Sequence, residues 1–180
     1  MLTYKDTAIV FREIPDEVTL AINIAGCPVH CPDCHSKHLW KNDGVVLDLY
    51  ELDHLIKNNP GVTCVSLMGG DNDVQAVHTL LHFVKTNYDL KTSWWSGREN
   101  IPDCEFLSVL DYLKLGPYIK EKGGLDSKET NQKLYKVVAK DTEVSPVVGF
   151  NDDGDEAYLS GRYYELEDIT NKLWRNEQFS

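Results

Sequence analysis

Strand-like and helix-like segments alternate along the first two thirds of this chain, with a period of about 30 residues. The strand-like runs are Val18 to Ile24, Val62 to Met68, about Leu90 to Trp95, and about Val109 to Leu115. Right-handed βαβ units around a parallel sheet satisfy such an alternation. The run Val62 to Met68 is nearly all apolar, as a strand covered on both faces requires. A complete eight-unit barrel takes about 250 residues, and this chain has 180. The expected class is therefore α/β, an open or partial β/α barrel with parallel strands.

Local signals fill in the rest. Asp48 is a good N-cap with Glu51 three positions on, a capping-box pattern. Leu52, Leu55 and Ile56 then supply an apolar stripe, and Pro60-Gly61 ends the helix. Asp73 can cap a second helix with Val74, Val77, Leu80, Leu81 and Val84 on one face. Residues 7–14 read as a short strand ending at Pro15, and Leu134 to Ala139 as another. Residues 147–159 suggest a hairpin around an Asp-Gly turn. Leu166, Ile169, Leu173 and Trp174 share one helical face, which predicts a short amphipathic C-terminal helix.

The formal net charge is −11, from 29 acidic and 18 basic residues. From Asp141 onward stand 10 acidic and 3 basic residues, so −7 of the −11 falls there. The domain expectation is a partial barrel over 1–140 and an acidic C-terminal extension over 141–180, packed on the same domain. That extension is most simply solvated, although a charged strip can also steer a basic partner. So acidic a chain is poorly suited to hold a nucleic-acid backbone. No apolar run approaches the roughly 20 residues of a membrane span, and the first residues lack a signal-peptide pattern. A cytoplasmic location is expected.

Three of the five cysteines, Cys27, Cys31 and Cys34, fall within eight residues directly after the first buried run. Their spacing is C-x3-C-x2-C. They make a poor disulfide framework and a good metal site in a reducing compartment. Ligands of parallel α/β folds bind at the carboxyl ends of the strands. That rule places the cysteine loop, Gly69-Gly70-Asp71 and Ser96-Gly97 on one rim. Structural zinc takes four ligands, usually in two pairs, and only His30, His35 or His38 is near enough in sequence to add one. Three thiolates on a cubane cluster would leave one iron open to a small molecule. Cys64, among apolar strand residues, reads as a buried thiol; Cys104 has no assigned role. His54, His78 and His82 read as surface residues of helices. Trp94 and Trp95, adjacent in a strand, should point to opposite faces.

The cysteine spacing after a first strand resembles the signature of the radical S-adenosylmethionine (SAM) enzymes. Gly69-Gly70-Asp71 after the next strand resembles the second feature of that superfamily, where glycines let backbone approach a ligand closely. Within it the chain is similar, over about 18–136, to the activating proteins of anaerobic ribonucleoside-triphosphate reductase. The shared features are Cys34-His35-Ser36 with Trp40, Trp95-Ser96-Gly97, Asp111 through Gly116-Pro117-Tyr118, and Thr130-Asn131-Gln132. Asn72, Leu115 and Lys128-Glu129 depart from that pattern.

The resemblance implies a partial barrel of the radical SAM type, with Cys27, Cys31 and Cys34 holding a [4Fe–4S] cluster whose open iron binds SAM. Reductive cleavage of SAM then yields a radical that abstracts a hydrogen from a glycine of the large reductase subunit. Asp33 and His35 would line the adenine side, Gly69, Gly70 and Asp71 would meet the methionine amino group, and Ser96 a ribose or carboxylate. A low-potential electron donor such as a flavodoxin is implied. The alternatives are a radical SAM enzyme acting on another protein or a small molecule, and a non-enzymatic metal-binding or electron-transfer module.

Overall fold

The computed structural model describes residues 1–141 and 162–174. Its strands are β1 (Leu2–Val10), β2 (Thr19–Ile24), β3 (Val45–Leu47), β4 (Cys64–Met68), β5 (Lys91–Trp95), β6 (Tyr112–Leu115), β7 (Lys133–Asp141) and β8 (Arg162–Asp168). They form one open sheet in the order β3-β1-β2-β4-β5-β6-β7-β8. The four central strands β2, β4, β5 and β6 run parallel. Antiparallel pairs flank them on both sides, β1 with β3 and β7 with β8. The protein is thus mixed α/β, with a parallel core and no closure. No helix among the described residues is long and apolar enough to cross a membrane.

Helices α1 (Leu49–Lys57), α2 (Val74–Asn87) and α3 (Cys104–Leu107) make the crossovers. The first two start where their caps predict. Asp48 Oδ1 accepts from Glu51 N at 2.8 Å, and Asp73 Oδ1 from Ala76 N at 3.1 Å. The Glu51 carboxylate accepts a 2.5 Å bond from the Tyr4 hydroxyl, which ties α1 to β1. Leu52, Ile56, Val77, Leu80, Leu81 and Val84 are buried against Leu20, Ile22, Val65, Leu67 and Leu113 of the sheet. The crossover from β5 to β6 contains only the single turn α3, capped by Asp103 through Phe106 N at 2.9 Å.

The opposite face carries a second, smaller apolar cluster of Ile14, Cys64, Tyr112, Leu125, Leu134 and Ile169. Strand alternation puts two rows across this face. One is Ala21, Ser66, Ser93 and Tyr112; the next, toward the carboxyl ends, is Asn23, Met68, Trp95 and Lys114. Trp94 packs with the helices and Trp95 against the smaller cluster, on opposite faces as alternation requires.

Two expectations are corrected, and one strand, β3, is unforeseen in the sequence. The first strand spans Leu2–Val10, not residues 7–14. It pairs along both edges, so its polar residues are held by backbone bonds, while Ile14 turns into the smaller cluster. β3, three residues long, has no periodicity to reveal it. The C-terminal amphipathic helix is absent among the described residues. Residues 162–168 pair antiparallel with β7, which satisfies that strand's outer backbone groups. Only Thr170–Leu173 forms a short 3-10 turn, next to the buried Ile169. The hairpin expected at 147–159 lies outside the described residues.

Candidate metal centre

The cysteine loop is an excursion tied at its base. Gly26 N and Cys27 N both donate to Leu39 O, at 2.8 and 3.0 Å. Leu39 is buried in the 3-10 turn Lys37–Trp40, so it anchors the returning end of the loop. Between these ends, Cys34 N donates to Cys31 O at 3.0 Å and Ser36 N to Cys34 Sγ at 3.3 Å. His30, at φ 49°, stacks on Trp40 with ring centroids 4.7 Å apart. Cys27, Cys31 and Cys34 are half-buried and unbridged.

Contacts from three other loops meet this one. A Cβ at Gly26 would stand 2.7 Å from Asn72 Nδ2, after β4, and a Cβ at Gly97 the same distance from Val29 Cγ2. Beyond β6, Tyr118 OH lies 3.2 Å from His35 Nε2, and Lys120 Nζ 3.7 Å from Asp33. The segments following β2, β4, β5 and β6 therefore share one rim at the carboxyl ends of the parallel strands.

Asp71 and Ser96 face each other beneath this rim. The Asp71 carboxyl, 3% exposed, accepts from Ser96 Oγ at 2.5 Å and from Gly97 N at 3.0 Å. Arg98 completes the set, with Nε 3.5 Å from Asp71 Oδ1 and Nη2 donating to Asp71 O at 2.7 Å. Gly69 and Gly70 both hold positive φ, at 107° and 97°, a region that favours glycine. Their carbonyls accept from Trp94 Nε1 at 2.9 Å and from Asp73 N at 3.0 Å. The glycine turn is thus fixed from below by an indole and from the side by a helix cap.

Sequence reasoning missed Lys114. It is 7% exposed, and its Nζ donates to Gly116 O at 2.5 Å and Ser96 O at 3.3 Å. Burial pushes its ammonium down to about 8, against the opposing pull of Asp71 and the three loop cysteines. Its only sequence signal is a lysine in an apolar strand at an inward parity. Asn131 and Gln132 prove to be partners of the Gly116-Pro117 turn, through Asn131 Nδ2 to Pro117 O at 2.9 Å and Gln132 Nε2 to Gly116 O at 3.3 Å.

The other cysteines lie elsewhere. Cys64 starts β4 at the amino end of the sheet, fully buried, its thiol pushed up to about 12 by burial. Cys104 is buried in α3. His54, His78 and His82 ride on α1 and α2; His54 pairs with Asn58, and His78 stacks on His82. Among the described residues no three His, Cys, Asp or Glu side chains converge to hold a single metal ion.

Three unbridged thiols thus share one short loop above the carboxyl ends of an open α/β sheet. A family model described as the 4Fe-4S single cluster domain matches residues 18–137. The chain belongs to that family. No curated protein and no solved structure matches it. The matched span runs from β2 into β7 and contains all four rim segments.

Proposed function

We propose that this protein is a radical SAM activase that installs a glycyl radical in an anaerobic ribonucleoside-triphosphate reductase. One observation carries the reading. Cys27, Cys31 and Cys34 share a loop, while Cys64 is held in the smaller apolar cluster and Cys104 is buried in α3, so a four-iron cluster here keeps one iron without a cysteine. The chemistry that cluster supplies when bound is one electron toward cleavage of a sulfonium carbon–sulfur bond. The chain's own part is to bind, orient and exclude water.

The residues present fit that part. Gly69 and Gly70 turn the backbone at the rim in a left-handed conformation, and a Cβ at Gly70 would stand 2.5 Å from Val77 Cγ2, so the turn sits directly on α2. Asp71 and Ser96 hold the segments after β4 and β5 together, and Asp33 and His35 flank the third cysteine toward Lys120 and Tyr118. Ser93 Oγ and Trp95 Nε1, on the inward face, are buried without protein partners. They suit a polar guest on that face. The large reductase subunit presents the glycine, and a low-potential donor such as a flavodoxin reduces the cluster.

The test mixes anaerobically reduced protein with SAM and the large reductase, then records the electron paramagnetic resonance (EPR) spectrum. A glycyl signal that Cys31→Ala abolishes is the expected result. SAM cleavage without a glycyl signal would point to another substrate, and colourless protein containing zinc would sink the reading altogether.

A further inference from the structure

The amino ends of the parallel strands, opposite the cysteine rim, carry a second group of charged side chains. A cleft of about 310 Å³ opens there, and its lining includes Glu17, Thr63, Lys85, Asp89 and Lys91. Glu17 stands just before β2, Thr63 just before β4, and Lys91 opens β5, while Lys85 lies in the last turn of α2. The strands between are short, so the cleft lies roughly 15–20 Å along the sheet from the rim.

The charges of this cleft do not cancel one another. Lys85 Nζ lies 2.6 Å from Asp111 Oδ2, and Lys91 Nζ 3.5 Å from Asp111 Oδ1. That carboxylate also accepts from Thr92 N at 2.8 Å. Two ammoniums thus share one engaged carboxylate, and one positive charge is left over. Glu17 is the reverse case. It accepts from Thr63 Oγ1 at 2.5 Å and from the hydroxyl of buried Tyr112 at 3.1 Å. It has no cationic partner among the described residues. Hydroxyl dipoles solvate a carboxylate without neutralising it, and beside the apolar cluster that holds Tyr112 an unpaired charge is costly. Asp89 also lacks an ion pair among the described residues, but it is exposed and screened by water.

We propose that this cleft binds a small zwitterion of the amino-acid type, with its ammonium on Glu17 and its carboxylate on Lys91 and Lys85. A surplus carboxylate and a surplus ammonium line one cleft without pairing with each other. Both are therefore left for a guest that carries the two opposite charges, through charge-assisted hydrogen bonds. A simple anion would meet Glu17 and Asp89, and a simple amine would meet two lysines, so each half alone is opposed by like charge. The volume suits a small guest, since ligand pockets start at about 300 Å³. The proposal uses no residue of the cysteine rim and is independent of the iron–sulfur and SAM chemistry.

The test titrates the full chain, purified anaerobically and isotope-labelled for nuclear magnetic resonance, with glycine, L-methionine and β-alanine. These probes differ in side chain and in the separation of their charges. Concentrations up to about 10 mM reach the millimolar range of dissociation constants. Saturable shifts are expected at the backbone amides of Thr63 and Lys91, which are joined by the bond from Lys91 N to Thr63 O at 2.8 Å. For the tightest of the three, the amide form, which lacks the carboxylate, and the N-acetyl form, which lacks the ammonium, should each bind about tenfold more weakly or worse. Glu17→Gln and Lys91→Met should weaken the parent amino acid by a similar factor.

Saturation by none of the three amino acids would overturn the proposal. So would an amide or N-acetyl form that binds as well as its parent, because one charge would then suffice. Shifts confined to the rim segment Gly69 to Asp71 would place the guest at the other end of the sheet and would equally refute the cleft. Unchanged affinity in both variants, folded by their amide spectra, would remove Glu17 and Lys91 from the site and the proposal with them. Should either variant fail to fold, the comparison of the three ligand forms on the unaltered protein decides alone.

Discussion

Val29 lies against the bare Cα of Gly97: a Cβ there would stand 2.7 Å from Val29 Cγ2. This contact joins the middle of the cysteine loop, between Cys27 and Cys31, to the segment that follows β5. Any side chain at 97 must push the loop outward. Gly97→Ala is expected to leave the far-ultraviolet circular dichroism spectrum unchanged and to weaken iron retention by about tenfold or more, as supporting residues of metal sites commonly do. Iron per chain after gel filtration measures it, and full retention would dismiss the contact as a determinant of the loop.

Asp71 and Ser96 should behave as one unit. Asp71→Asn leaves a buried donor network short of an acceptor and is expected to cost about 1–3 kcal/mol, with Ser96→Ala costing about 1 kcal/mol. Because the two side chains share one hydrogen bond, the double variant should lose less than the sum, by about 0.5 kcal/mol or more. Urea unfolding of the four proteins supplies the cycle. Strict additivity would show that the pair is not coupled.

The Cys64 thiol gives stability a pH dependence at the alkaline end. Burial, then the nearby Glu17 charge, raises it from 9.0 to about 12. The folded state therefore keeps a proton that the unfolded chain releases above about pH 9. Its contribution is complete below the unfolded value and is lost as pH rises through the folded one. Cys64→Ala should flatten the fall in unfolding free energy between about pH 9 and pH 10, before the buried Tyr112 and the other tyrosines add their own slope.

Thiol accessibility should divide the five cysteines. In metal-free native protein, iodoacetamide should modify half-buried Cys27, Cys31 and Cys34 and spare buried Cys64 and Cys104 until the chain unfolds. Mass spectrometry of the peptides reads this directly. Early modification of Cys64 would mean that the amino end of β4 opens more readily than its packing indicates.

Packing beneath the site should matter without touching it. Leu81 is fully buried on α2 against the sheet. Leu81→Ala should cost about 2–5 kcal/mol and leave the iron content of the protein that remains folded unchanged. A loss of iron per folded chain would show that α2 and the rim are coupled.

What the sequence determined by itself was whatever depends on neighbours along the chain. The cysteine spacing, the caps Asp48 and Asp73, the apolar stripe of α2 and the four parallel strands are all local patterns, set by chirality, hydrogen-bond geometry and side-chain period. Tertiary structure decided the rest. β3 and β8 exist because β1 and β7 present unpaired edges to them, and Leu166 and Ile169 fit a strand and its end as well as a helix. The Asp71–Ser96 bond, the Val29–Gly97 contact and the burial of Lys114 join residues many positions apart. No periodicity records such pairs, because their energies arise only once separate βα units have been brought to one rim.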